Sequence, residues 1–247
     1  MRFFPLFSLL MMISCGYSSL TKAQSCEPLT KGNHYQKNGT LEYIERTPSP
    51  NHSESPIVIA LHGLGHHKEG FSGLASKLPK HWRIFFIDAP LTYHRGHAWY
   101  RFRCPEAELD LQQSVEAVFK TLHTLTLKYP TAPKPAIFGF SQGGVMTMEL
   151  INQAPLLWSA AANFSGYWLS KTPPQKRQDS EVLHLLLVHG ERDRIVPIKR
   201  GLEAAKLMGD ANFLISWLPF DGGHHVPRIG LEQLAQHFES AWMSTKK

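Results

Sequence analysis

The stretch AIFGFSQGG, residues 136–144, sets an apolar run of strand length against a helix-like one, with a single serine between them. The order is strand, Gly139-x-Ser141-x-Gly143, helix. Lifting a side chain above a sheet this way requires a very tight turn, strained at the serine and flanked by small residues. Gly139 and Gly143 meet that steric demand, and Gly144 eases the packing further. The helix then aims its free N–H groups and positive dipole end at any anion formed over Ser141. Glycines beside a serine also make ordinary turns, so partners for Ser141 have to come from elsewhere in the chain.

Working outward, strand-length apolar runs alternate with amphipathic patterns. SPIVIALHG, WRIFFIDAP, SAAANFSG, VLHLLLVHG and NFLISWLPF read as strands. KEGFSGLASKL, IKRGLEAAKLM and RIGLEQLAQHFESAW read as helices, and LEYIER adds an edge strand. In residues 106–129, Leu109, Val115, Val118, Phe119 and Leu122 recur near helical intervals, with acids early and Lys128 late as the helix dipole prefers. Near-continuous apolar strands between helices imply a mostly parallel sheet covered on both faces, an α/β fold. No repeat, low-complexity tract or second-domain boundary interrupts it. Residues 169–181, LSKTPPQKRQDSE, lack apolar periodicity, so no cap domain is expected.

A serine hydroxyl becomes a competent nucleophile only when a base takes its proton and a third group orients that base. The strand VLHLLLVHG runs into ERDRIVP, offering Asp193 and the neighbouring Glu191 as the acid, with Asp193 the better placed. NFLISWLPF runs into DGGHHVP, offering His224, with His225 as the alternative base. Both loops follow later strands, in the order nucleophile, acid, base. Two backbone N–H groups are expected to hold an oxyanion: that of Gln142, after the serine, and that of Leu64 in LHGLG.

Together, LHGLG (61–65), DAP (88–90), AWY (98–100), GFSQGG (139–144), HGERDRIVP (189–197) and GGHHVP (222–227) resemble the phospholipase/carboxylesterase family of α/β hydrolases, which includes acyl-protein thioesterases. The resemblance implies a lidless serine hydrolase of carboxylic esters or thioesters, with Ser141, Asp193 and His224 as its triad and Leu64 and Gln142 as oxyanion donors. The chain departs from the family at His66 and His67, where Asp is common, and at Arg101 and Arg103, where an acid is common. These positions are expected on the substrate side. Trp99, Tyr100, Tyr167 and Trp168 are candidate acyl-pocket walls, with an ordinary core role as the alternative. Secreted feruloyl- or polyester-type esterases, and a non-catalytic binding module on the same scaffold, are the competing functions.

The chain's beginning carries a different signal. Arg2, an apolar run over residues 3–13 and TKA at 21–23 resemble a secretory leader, leaving residues 24–247 as one domain. MISC at 12–15, followed by Gly16, also resembles a lipoprotein box, so lipidation at Cys15 and cleavage near Ala23 stay open. Either way export is expected, periplasmic or secreted, with the membrane involved only through such an anchor. Cys26 and Cys104 then suggest one disulfide. Without residues 1–23 the net charge falls from +6 to +4, because Arg2 and Lys22 are the only charges lost. That mild excess, free of basic runs, gives no reason to expect nucleic acid. The 14 histidines include no HExxH frame, and no cofactor or metal is expected. The expected partner is a small ester or acyl substrate; oligomeric state is left open.

Overall fold

The structure, a computed structural model, describes residues 39–177 and 182–244. The leader, Cys15 and Cys26 lie outside the described residues; Cys104 is disulfide-bonded. In chain order the elements are β1 (Tyr43–Arg46), β2 (Ile57–Leu61), α1 (Lys68–Phe71), β3 (Arg83–Ile87), β4 (Leu91–Tyr93) and β5 (Gly96–Ala98), then α2 (Ala107–Lys128), β6 (Ala136–Phe140), α3 (Gln142–Gln153), β7 (Ala160–Phe164), β8 (His184–Gly190), α4 (Ile198–Asp210), β9 (Leu214–Phe220) and α5 (Arg228–Ser244). Seven strands form one sheet in the order β1-β3-β2-β6-β7-β8-β9, and β4 and β5 form a separate hairpin. Every pairing in the large sheet is parallel except that of the edge strand β1 with β3.

The strands divide their residues between two cores because successive side chains point to opposite faces. Ile57, Ile59 and Leu61 of β2 join α2, α3 and α4 on one face. Val58 and Ala60 join Phe71 of α1 and Leu231, Leu234, Phe238 and Trp242 of α5 on the other. All five β2 residues are therefore buried, which is why the strand reads as continuously apolar. The α2 stripe is Leu111, Val115, Val118, Leu122 and Leu125, spaced by three and four as one helix face requires. Leu109, expected in that stripe, is 58% exposed; the buried register runs through Leu111 instead.

Two local expectations are corrected. KEGFSGLASKL forms only the single α-turn of α1, followed by a 3₁₀ segment, Ser72–Lys77. Glycines at 70 and 73 weaken an α-helix there, and Ser72 Oγ donates to the Glu69 carbonyl and competes locally. The β4–β5 hairpin was not expected, since its three-residue strands flank a polar tip at His94 and Arg95. Between β7 and β8 the described residues contain no helix or strand and no cap domain.

Candidate active site

Parallel strands end together, so the loops after β2, β3, β6, β8 and β9 converge at the carboxyl end of the sheet. Ser141 stands between β6 and α3 with φ 54° and ψ −114°, a left-handed conformation that costs a non-glycine residue about 1–3 kcal/mol. Its N–H donates to the Phe164 carbonyl (2.8 Å) and its carbonyl accepts from Val145 N–H (3.1 Å). A Cβ at Gly139 would strike the Gly143 carbonyl, and one at Gly143 would strike the Leu61 carbonyl. Strand and helix therefore touch where the motif demands it.

His224 brings its ring to the serine from the loop after β9. Its Nε2 lies 2.9 Å from Ser141 Oγ and its Nδ1 lies 2.7 Å from Asp193 Oδ2. An ionised carboxylate only accepts, so Nδ1–H donates to Asp193 and Nε2 is left to accept from the hydroxyl. Phe140 packs on the imidazole with ring centroids 4.8 Å apart. His225 instead turns its exposed ring edge-on to Phe220. The structure thus brings His224, rather than His225, to Ser141.

Asp193 is buried, and its second oxygen accepts from the N–H groups of Ile195 and Val196, both at 2.9 Å. Burial alone would raise its pKa. The hydrogen bonds from His224, Val196 and Ile195 outweigh that and hold the carboxyl below its ordinary value. Glu191, the alternative acid, is exposed. Arg192 pairs with Asp221 at 2.5 Å, both well exposed.

The two expected oxyanion donors flank the serine. Gln142 is the first residue of α3, so its N–H has no intrahelical acceptor. Leu64 occupies the second position of a turn closed by His66 N–H on the Gly63 carbonyl (3.2 Å), with Gly65 at φ 74°. This is the type II pattern, which leaves the Leu64 N–H unused by the turn. A Cβ on Gly63 would lie 3.3 Å from Ser141 Cβ, so the turn abuts Ser141 directly.

Contacts that the sequence did not foretell hold this geometry. The Gln142 side chain accepts from Trp99 N–H (3.0 Å) and donates to the Tyr100 carbonyl (2.9 Å). Trp99 Nε1–H donates to the His62 carbonyl (2.8 Å). Trp99 and Tyr100 are fully buried; as candidate pocket walls they act here as braces. The hairpin clamps the turn, with Gly65 N–H on the His97 carbonyl and His97 N–H on the His66 carbonyl, both 2.8 Å.

Beneath the turn, Asp88 accepts from Lys68 N–H (2.6 Å) and from Lys68 Nζ (2.7 Å), and Nζ also reaches Glu42 (3.0 Å). His62 Nε2 accepts from Ala89 N–H (3.1 Å), so Nδ1–H donates to the Gly63 carbonyl (2.8 Å). Burial pushes its pKa down to about 4, against the opposing pull of the Gly63 bond and Asp88, and the ring is neutral.

The departures at the substrate side resolve differently from one another. Arg101 is bound to Asp110 through Nε (2.7 Å) and Nη2 (3.0 Å), a fork on the start of α2. Arg103 is exposed, with its guanidinium over the Phe102 ring. His66 and His67 stack on each other at 5.6 Å. Among the described residues no three His, Cys, Asp or Glu side chains are grouped to hold a metal ion.

Several known proteins share this plan. Acyl-protein thioesterase 1 of Kluyveromyces lactis is 27% identical over 174 residues, covering 61% of this chain and 75% of its own. The solved carboxylesterase of Bacillus cereus superposes with a TM-score of 0.69 at 15% identity, over 83% of this chain and 97% of that one. Zea mays acyl-protein thioesterase 2 gives 0.67 at 17% identity, over 81% and 98%. At such identities the two structures speak for the fold alone. The family model described as Phospholipase/Carboxylesterase matches residues 43–241. That match spans most of the chain, which therefore belongs to the phospholipase/carboxylesterase family and is a hydrolase of the serine esterase/thioesterase type.

Proposed function

We propose that Ser141, His224 and Asp193 act as a catalytic triad that cleaves carboxylic esters or thioesters through an acyl-enzyme. The observation that carries this reading is the continuous hydrogen-bond chain from Ser141 Oγ through His224 to the buried Asp193 carboxylate. His224 Nε2 takes the hydroxyl proton as Ser141 Oγ bonds to the acyl carbon, and the carbonyl oxygen becomes an oxyanion. The N–H groups of Leu64 and Gln142 hold that charge. Collapse breaks the bond to the alcohol or thiol, which leaves with the proton from His224. Water, deprotonated by the same imidazole, then releases the acid and restores Ser141. Asp193 keeps Nδ1 protonated throughout, so Nε2 is always the working nitrogen.

A fluorophosphonate probe tests this directly: it is expected to label Ser141 of the folded protein. An unlabelled, folded protein with no turnover of 4-nitrophenyl esters or acyl thioesters of graded chain length would overturn the reading. We also propose that the protein works outside the cytoplasm, on the strength of the leader-like residues 1–23. Fractionation of cells expressing the full chain checks this, and a purely cytosolic, full-length product counts against it.

A further inference from the structure

Four exposed cations lie on the two chain connections that carry Tyr100 and Asp193, and none of them is in an ion pair with a carboxylate among the described residues. Arg103 lies on the connection from β5 to α2, and Arg194, Lys199 and Arg200 lie on the connection from β8 into α4; all four are exposed. The neighbouring basic residues are paired: Arg101 with Asp110, Arg192 with Asp221 and Arg228 with Glu232. The four form no such ion pair among the described residues, and neither do the nearby acids Glu191 and Glu203. Folding does not call for this placement. The first turn of α4 contains no acid, and cations there oppose the helix dipole.

Arg200 is the best organised of the four. Its guanidinium lies 3.5 Å from the centroid of the Tyr167 ring, a stacking that restrains the long side chain. Tyr167 is itself fixed, its hydroxyl 3.0 Å from that of the fully buried Tyr100. The Tyr100 carbonyl is in turn held by Gln142, the neighbour of Ser141. A short, rigid series of contacts therefore connects this guanidinium to the nucleophile. Arg103 stands three residues beyond Tyr100 on the same connection.

We propose that Arg200, on its Tyr167 platform, reads an ionised acid group on the substrate, so that the favoured substrates are esters or thioesters carrying a second, anionic group. This rests on the serine-hydrolase reading above and narrows its substrate class. A planar guanidinium with its edges free matches a carboxylate or phosphate in two-point contact. Lys199, Arg194 and Arg103 supply the surrounding positive field that draws such substrates in.

Two matched pairs of substrates test the inference. On the acyl side, 4-nitrophenyl hexanoate is compared with the 4-nitrophenyl half-ester of adipic acid, equal in chain length but ending in a carboxylate. On the alcohol side, ethyl hexanoate is compared with the hexanoyl ester of glycolate. The readout is the charged-to-neutral ratio of kcat/KM. In at least one pair the charged ester is expected to be favoured about tenfold at low salt, and the advantage to shrink as salt is added. The pair that responds tells which side of the carbonyl carries the anion. Arg200→Met is expected to bring the ratio close to one and Arg200→Lys to retain part of it, whereas the paired Arg228→Met leaves it as in the parent.

An active enzyme that favours the charged ester in neither pair overturns the inference, as does a preference that survives Arg200→Met. A protein inert to all four esters and unlabelled by a fluorophosphonate overturns the hydrolase reading itself, and this inference with it.

Discussion

The two ends of the sheet are made from the same strands, yet they hold different things. At the amino end, residues preceding or opening β6, β7 and β8 join α5 around a cleft of about 610 Å³, lined by Trp158, Ser159, Leu183, Gln233, Gln236 and Ser240 among others. At the carboxyl end the features are strain and buried charge: Ser141 at positive φ, the enclosed Asp193 carboxylate, and the Lys68–Asp88 pair. Buried charge occurs at both ends, since Arg83 at the start of β3 pairs with Glu45 and the buried Arg177 lines the cleft. Strained backbone and buried ions are disfavoured by folding, but what sets the proposed catalytic end apart is the alignment of Ser141, His224 and Asp193 in one hydrogen-bond chain.

The sharpest way to break this contrast is at the carboxyl end. Ser141→Ala or His224→Ala is expected to lower kcat at least about 10⁴-fold, and Asp193→Asn to lower it by about 10⁴-fold. Circular dichroism should show each variant folded. His225→Ala and Glu191→Gln are expected to stay near the parent rate, and esterase assays of the five variants check the assignment residue by residue.

A smaller loss is expected from the support below the oxyanion turn. Asp88→Asn removes the charge that holds Lys68 and the 62–68 segment, so Leu64 N–H loses its aim. We expect a fall of about 10²-fold in kcat with little change in KM. Steady-state kinetics with a neutral ester would show it; a rise in KM alone would place Asp88 in substrate binding instead.

His62 links the same region to acid stability. Its folded pKa of about 4 lies below the ordinary 6.5, so the unfolded chain takes up a proton in a range where the folded one does not. Its contribution is present above pH 6.5 and is lost as pH falls toward 4, a loss of about 3 kcal/mol. Denaturant titrations across that interval should show the decline, and His62→Asn should flatten it. The smallest effect belongs to the other end of the sheet. Ser159→Ala and Gln236→Ala are expected to change kcat/KM by less than about twofold; a larger change would show that the cleft communicates with the site.

How much of this was legible in the sequence follows from what each feature depends on. Ser141, Asp193 and His224 lie just beyond strand ends, so chain order and spacing could single them out, and the structure brings them together. The sheet was legible because buried parallel strands must be apolar. Leu109 and the shortened α1 were misread because periodicity does not reveal which register meets the core, nor where serine and glycine stop a helix. The grip of Gln142 on Trp99 and Tyr100 spans more than 40 residues, and Asp88 and Lys68 are partners only once β3 lies beside β2. No local pattern encodes such contacts. Arg101 and Arg103 show the same limit, since two similar residues in one motif turned out to be a tethered brace and an exposed charge.

The Gln142 side chain has one more consequence. By binding both Trp99 and Tyr100 it closes residues 99–142 into a loop pinned shut beside the nucleophile. Changes in length on the far side of that loop, such as the turn between α2 and β6, are thereby insulated from the oxyanion donors. Lengthening that turn is therefore expected to leave the Gln142 contacts, and the backbone beside Ser141, in place.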